Sequence, residues 1–416
     1  MKVLHILHRS VPGAHGYAIR SKEIVSQLIA KGIEPIVVTS PSQAPLGALD
    51  VESSEIIDRV RYFRSCGKLI EPTIEVKDGK YGRATLRVLQ NSNLFRMAWR
   101  IARRYKPDVI HAHSPFTCGL VGDVVGRLTG IPVIYEMRGI WEDQHTSRYG
   151  MATTSFRYRG VRFLETLALK HADTCFAISN ALKDEMIARG IDQNRIMIAP
   201  NGVDIRKFAP GEPDQELLVK LGLKDKLVIG YIGTFFHYEG LDLLAQSFQK
   251  LASQFPSLVI LLVGDGELMP KLKSLATNSA YSDRFLFTGR IKNDLIVEYY
   301  KLFDLLVLPR RDAREANLVT PLKPLEIMAM AKPLVASNIG GHREIVTDKV
   351  NGLLFTPESI DDLSDKCCFL LKDKDYRLQL GETSRQWVTE NRDWSVLIDK
   401  YIRVYEEISL RPKSKR

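Results

Sequence analysis

The stretch LVTPLKPLEIMAMAKPLVAS, residues 318–337, gathers residue types that can grip an anion. Its apolar spacing predicts a short helix from Pro324 to about Ala331, and Pro324 suits a first helical position because its missing N–H has no duty there. Lys323 stands at the entrance, and Arg310 and Arg311 come off the end of the preceding apolar run FDLLVLP. The amides of Leu322, Lys323 and Leu325 would add to the positive pole of the helix. A cation at that pole makes physical sense if an anion of more than one charge, such as a diphosphate, belongs there. Taken alone, Lys323 reads equally as a solvated side chain and Glu326 as a complement to the helix dipole. Three cations beside one helix start weigh toward a ligand. Glu326, in the first turn, could accept two hydrogen bonds from a vicinal diol such as a ribose, which would make that ligand a nucleoside diphosphate derivative.

A second set lies in the first half of the chain. HGYAIRS puts Gly16 and Tyr17 at a helix start, where a glycine lets backbone approach a ligand, although a plain turn reads as well. His113 ends the apolar run VIHAH and is open to a structural or a site role. Arg138, in YEMRGIWED, keeps its proton, so it cannot be a general base. It could steer a diphosphate or sit in an ordinary salt bridge.

The elements that must carry these residues alternate between short β-branched runs and longer helical stretches. KVLHIL (2–7) precedes a helix near 17–31, and PIVVTS (35–40), PDVIHAH (107–113), IPVIYEM (131–137) and DTCFAIS (173–179) follow. The pattern resets in the turn-rich APNGVDIRKFAP (199–210) and resumes with LVIGYIG, LVILLVG, RFLFTG, FDLLVLP and KPLVAS. This predicts two doubly wound α/β domains, 1–205 and 206–390, followed by an amphipathic helix and basic tail over 391–416 that would pack back toward the first domain. Ligands in such sheets sit beyond the carboxyl ends of the strands, here in an expected cleft between the domains.

Composition bounds the partners. A chain of 416 residues, 45% hydrophobic and 26% charged, is ordinary for a globular protein, and no run of about 18 apolar residues predicts a membrane span. MKVLHILHRS turns polar too soon for a signal peptide and reads as a first strand. The five cysteines show no zinc-type spacing, which predicts thiols in a reducing cytosol and no metal. A net charge of +10 favours anionic partners. The segments NLFRMAWRIARRYK (93–106) and RYGMATTSFRYRGVRF (148–163) mix aromatic and basic residues and suit an anionic membrane face, or are simply solvated.

In this order the motifs resemble glycosyltransferase family 4, with its two Rossmann-like domains in the GT-B fold, over nearly the whole chain. PGAHGYAIRSKEIVSQLIAKGIEPIVVTS resembles the opening glycine loop, helix and second strand, and PDVIHAHSPF the histidine segment of the acceptor domain. IAPNGVDIRKFAP is similar to the domain-junction signature, and LLVGDGEL, FTGRI and PLEIMAMAKPLVAS to donor-domain segments. The resemblance implies transfer of a sugar from a UDP- or GDP-sugar to a glycan or lipid-linked acceptor, with retention and with no metal or cofactor. It assigns Gly16, Tyr17, His113 and Arg138 to the acceptor, and Gly233, Thr234, Leu322, Lys323, Arg310 and Arg311 to the donor. Gly289, Arg290 and Ile291 would line the base pocket, and Glu326 would hold the ribose. Lys323, Glu326, Arg138 and His113 would act in catalysis.

The departures also carry information. Where the family has an earlier glutamate, an arginine and a lysine, this chain has Leu318, Thr234 and Glu239. The pattern TPLKPLE resembles a subgroup from bacterial cell-surface and exopolysaccharide assembly, working in the cytoplasm and peripherally at the inner membrane face. Lys323, with Arg310 or Arg311, would then neutralise the leaving group in place of the missing cations. Leu318 would alter recognition of the donor sugar's hydroxyls. Two alternatives are a nucleotide-sugar epimerase of similar fold and a basic nucleic-acid-binding protein, which lacks a recognition motif here. A dinucleotide-dependent oxidoreductase is disfavoured by the absence of a clean G-x-G-x-x-G after either first strand.

Overall fold

A computed structural model describes residues 1–13, 16–43, 54–65, 80–143 and 153–411, with the side chains of 80–90 excepted. Ala14, His15, Cys66, the 148–152 part of the second basic segment and most of the basic tail lie outside the described residues. The chain divides into two compact units, Met1–Pro200 with Trp394–Arg416, and Asn201–Asp393.

The first unit is built on eight strands: β1 Lys2–Leu7, β2 Glu34–Thr39, β3 Ser54–Ile57, β4 Val60–Arg64, β5 Val109–His113, β6 Val133–Met137, β7 Thr174–Ala177 and β8 Ile196–Ile198. Their order is β3-β4-β2-β1-β5-β6-β7-β8, parallel except for the β3–β4 hairpin. β5, β6 and β7 are buried along their whole length, as a parallel sheet covered on both faces requires. The hairpin was not anticipated. Its turn residues Asp58 and Arg59 both take positive φ, 51° and 69°, without the glycine that usually announces such a turn.

The helix Trp394–Ser409 belongs to this unit. Trp394, Leu397, Ile398, Tyr401, Val404, Tyr405 and Ile408 recur at helical spacing and are buried in one cluster with Val3, Ile24, Leu28, Val109 and Phe176.

The second unit has six parallel strands: β9 Leu227–Ile232, β10 Leu258–Val263, β11 Phe285–Gly289, β12 Leu305–Leu308, β13 Leu334–Ser337 and β14 Leu353–Phe355. The order β11-β10-β9-β12-β13-β14 reverses direction beside β9, so a switch point falls between β9 and β12. The two ends of the unit are clasped together, the Val203 amide donating to the Arg392 carbonyl at 2.9 Å. Both units are thus doubly wound α/β structures. Among the described residues, no helix is long and apolar enough to cross a membrane.

Candidate functional site

The charged cluster forms at the switch point of the second unit. Glu239 ends the short turn His237–Glu239 after β9 and is buried. Its Oε1 accepts from Lys323 Nζ at 2.8 Å and from Arg310 Nη2 at 2.8 Å. Burial works to raise the Glu239 carboxyl, but Arg310 and then Lys323 outweigh it and hold it at about 2. Burial draws Lys323 below its usual range, although Glu239 opposes this. Two cations share one carboxylate, so one positive charge is left over. Arg310 Nε is also buried with no hydrogen-bond partner among the described residues, a donor that an incoming anion would satisfy.

Backbone shape seats the lysine. Gly233, just past β9, has φ +144°, and a Cβ there would lie 2.4 Å from Lys323 Cε. The Lys323 ammonium also rests over the Tyr231 ring, 5.0 Å from its centroid. Gly264 lies so close to the same loop that a Cβ on it would meet the Gly233 carbonyl at 1.9 Å, and its amide donates to the Gly289 carbonyl at 3.1 Å. The ends of β9, β10 and β11 therefore form a continuous backbone ledge beside the cations.

The structure separates the two arginines. Arg311 turns away, bonding both oxygens of Asp242 at 2.9 and 2.7 Å and pairing with Glu358. Arg310 alone joins Lys323. The helix runs Lys323–Ala329, starting one residue earlier and ending two residues earlier than the spacing predicts. The Leu325 amide bonds the Leu322 carbonyl at 3.0 Å and is spent within the turn, which corrects its expected availability. Half-buried Glu326 accepts from Tyr300 Oη at 2.7 Å, and burial raises its pKa. Thr234 is exposed, Arg290 is 81% exposed some 3.9 Å from Asp265, and Leu322, Leu318 and Ile291 are half-buried.

In the first unit, His113 and Arg138 are buried, at 1% and 4% exposure, rather than offered at a rim. The reason lies in the register. His5 on β1 pairs with His111 on β5, and His113 pairs with Glu136 on β6, which stacks three imidazoles against one carboxylate. Arg138 Nε and Arg20 Nε bond Glu136 Oε1 at 3.0 and 2.8 Å. Burial works to raise Glu136, yet Arg138 and Arg20 outweigh it and hold it well below the usual carboxylate range. Arg20 also donates to the Ala199 and Pro200 carbonyls and to Tyr401 Oη, and His111 Nδ1 lies 2.7 Å from Tyr405 Oη.

Proton positions follow from the donors. A guanidinium only donates, so His113 Nδ1, 2.5 Å from Arg138 Nη2, must accept. Its Nε2 then carries the proton and donates to His5 Nδ1 at 3.0 Å, which leaves His5 Nε2–H buried without a hydrogen-bond partner among the described residues. The three imidazoles have nitrogens within 4.8 Å of one another, a spacing metal ligands also show. They do not fit a cation: His113 has both nitrogens engaged, and Arg20 and Arg138 already oversupply positive charge around Glu136.

Arg138 also reaches the helix Gly16–Ala30. Its Nη1 donates to the Tyr17 carbonyl at 3.2 Å and to Ser21 Oγ at 2.7 Å. It thus positions Tyr17, while Gly16 is exposed and Tyr17 is half-buried. Arg20, Glu136 and Tyr300 were missed as partners because nothing in their local spacing marks them. Glu239 was visible only as a departure from the family pattern.

Comparison with known proteins fits this geometry. The profile of Glycosyltransferase Family 4 matches residues 15–207, and that of Glycosyl transferases group 1 matches residues 214–387. The chain is 30% identical over 286 residues to the UDP-Gal:alpha-D-GlcNAc-diphosphoundecaprenol alpha-1,3-galactosyltransferase of Escherichia coli, covering 66% of this chain and 69% of that protein. The chain belongs to the GT-B glycosyltransferases. The glycosyltransferase is also 27% identical over 304 residues to the sulfoquinovosyl transferase SQD2 of Arabidopsis thaliana, covering 71% of this chain but only 56% of that protein. Among solved structures, Anabaena HepE in complex with UDP aligns at a TM-score of 0.74 and 18% identity, covering 98% of this chain and 100% of that chain. The family membership does not favour the epimerase alternative.

Proposed function

We propose that this glycosyltransferase moves a sugar from a nucleoside diphosphate sugar to a hydroxyl of a glycan or lipid-linked acceptor, with retention, in bacterial surface or exopolysaccharide assembly. The observation that carries the donor half is the Lys323–Glu239–Arg310 cluster, with its unbalanced positive charge and an Arg310 Nε–H unmet among the described residues. The names of relatives support it: the E. coli protein is described as using UDP-Gal, and HepE was solved with UDP. The diphosphate would sit on Lys323 and Arg310 beside the Gly233 ledge, the ribose on Glu326 and the base near Gly289, Arg290 and Ile291.

Charge builds on the departing diphosphate as the bond to the anomeric carbon breaks, and preorganised cations there lower the barrier most. Glu326 acts electrostatically on Lys323, and its bond from Tyr300 suits it to hold a ligand rather than to attack one. We therefore favour front-face attack, in which the departing phosphate takes the acceptor's proton and no metal or cofactor takes part. Thermal-shift titration with UDP, GDP and a panel of their sugars tests the donor half. UDP or GDP is expected to stabilise the wild type, and Glu326→Ala to weaken that binding by roughly tenfold, the equivalent of about 1.4 kcal/mol. No shift with either nucleotide would overturn the reading.

Contact with the cytoplasmic face of an anionic membrane is supported by the helix Phe156–His171. Phe156 is 93% and Phe163 65% exposed, seven residues apart on one stripe beside exposed Arg157 and Arg159. Buried thiols at Cys118, Cys175 and Cys367 suit a reducing compartment. Co-sedimentation with phosphatidylglycerol vesicles is expected for the wild type and is expected to drop several-fold in Phe156→Ser/Phe163→Ser. Equal sedimentation of both proteins would remove the membrane assignment.

A further inference from the structure

Three partly exposed aromatic rings meet past the carboxyl ends of β1 and β6 in the first unit. His8 follows β1, Tyr17 opens the helix Gly16–Ala30 and Trp141 lies four residues beyond β6. The Trp141 indole contacts both others: its centroid is 5.6 Å from His8, edge to face, and 5.9 Å from Tyr17, tilted by 39°. Backbone and buried charge fix this group. Arg138 anchors the Tyr17 carbonyl, and a Cβ on Gly139 would come within 2.7 Å of the Tyr17 hydroxyl oxygen.

Two polar atoms on these rings are unmatched. Trp141 Nε1–H is buried with no hydrogen-bond partner among the described residues. On His8 the donor logic gives the complement. Ser40 Oγ donates to the His8 carbonyl at 2.8 Å, so toward His8 Nδ1, 3.3 Å away, it must accept. The His8 proton therefore sits on Nδ1, and Nε2 is an acceptor with no partner among the described residues. Burial, with Arg9 adding, lowers the His8 pKa to about 4, so the imidazole stays neutral near pH 7.

An unmet donor and an unmet acceptor on adjoining rings match one hydroxyl group, which gives one hydrogen bond and takes another. Flat rings beside them match the apolar C–H face of a pyranose. We infer that His8, Tyr17 and Trp141 form the acceptor-sugar subsite: a pyranose ring lies against the aromatics, with a hydroxyl donating to His8 Nε2 and accepting from Trp141 Nε1–H. This inference rests on the glycosyltransferase reading and adds to Tyr17 two residues that reading leaves unassigned, His8 and Trp141. It also recasts Arg138 as a positioning residue that holds Tyr17 in place.

The test uses the full chain with three probes: methyl α-D-glucopyranoside, methyl 2-acetamido-2-deoxy-α-D-glucopyranoside and octyl β-D-glucopyranoside, read by saturation-transfer NMR and titration. The wild type is expected to bind at least one of them. Trp141→Phe keeps a ring and removes the N–H, and His8→Gln removes the imidazole. Each is expected to weaken binding by roughly fivefold, the loss of about one hydrogen bond. The UDP thermal shift should stay at its wild-type value in both, a result that a general loss of folding would not give. Gly139→Ala, which presses on the Tyr17 ring, should weaken pyranoside binding in the same way. The inference is overturned if the wild type binds none of the three probes, or if all three variants bind them with wild-type affinity. A missing UDP shift in the wild type would instead overturn the donor assignment and leave the pyranoside result to be judged by itself.

Discussion

Lys323→Ala is expected to lower turnover by roughly 10²- to 10³-fold, the effect of removing one preorganised donor from a developing negative charge, about 3–4 kcal/mol. The argument rests on local charge. In the wild type, Arg310 and Lys323 contribute two positive charges and Glu239 one negative, so the cluster carries one net positive charge. The alanine variant leaves Arg310 and Glu239 as a neutral pair that offers a diphosphate nothing. Folding should suffer little, because Glu239 keeps Arg310 at 2.8 Å and is not left unpaired. The decisive companion is Lys323→Ala/Glu239→Gln, which restores one net positive charge through Arg310. It should recover part of the nucleotide affinity lost in the single variant, measured by UDP titration. If the single variant keeps full turnover, the leaving-group role of Lys323 is wrong. If the double variant binds UDP no better than the single one, net charge is not what the cluster supplies.

Acidification from pH 7 to 5 is expected to unfold the first unit selectively. His5, His8, His111 and His113 are all held below the ordinary 6.5, burial being the largest cause for each. An imidazole kept neutral in the fold and free to protonate in the open chain favours folding fully above pH 6.5. That advantage is lost as the pH falls, at about 1.4 kcal/mol per unit and per ring. One group in the same unit opposes them. Burial raises Glu165 to about 7, so its folded form takes a proton early and gains stability between pH 7 and 4.5. Four rings against one carboxyl leave a net loss of stability as the pH falls below about 6.5. In the second unit one imidazole, His342, is pushed down by burial to about 3, and Glu326, raised by burial, works against it. Hydrogen exchange at pH 7 and 5 should show β1, β5 and β6 losing protection while β9, β10 and β12 keep theirs. Parallel loss in both sheets would contradict the assignment of neutral imidazoles to the first unit.

Much of this fold is legible in the residues because parallel strands announce themselves. VIHAH, VIYEM and LVILLV are short β-branched runs between helical stretches, and the structure places them as β5, β6 and β10. β8 and β14 are harder to see, since three residues each, Ile196–Ile198 and Leu353–Phe355, carry too little periodicity. The site divides in the same way. Lys323, Arg310 and Gly233 could be picked out because their types are unusual beside a helix start. Their shared anchor could not, because Glu239 meets Lys323 across 84 positions of sequence. For His113 and Arg138 a site role and a structural one read alike, because the local sequence does not say which polar residues have buried partners. Register across β1, β5 and β6 decides that, and register is a property of three segments together.

The clasp between Val203 and Arg392 bears on how the first unit is completed. Arg20 and Tyr401 bond across 381 positions, and His111 and Tyr405 across 294, separations that would tax an open chain heavily in configurational freedom. Once the intervening unit has closed on itself, its two ends lie one hydrogen bond apart. The final helix is then delivered next to Pro200, where Arg20 waits, as though the insertion were a tight turn. For chain statistics, nearly two hundred residues count as a handful.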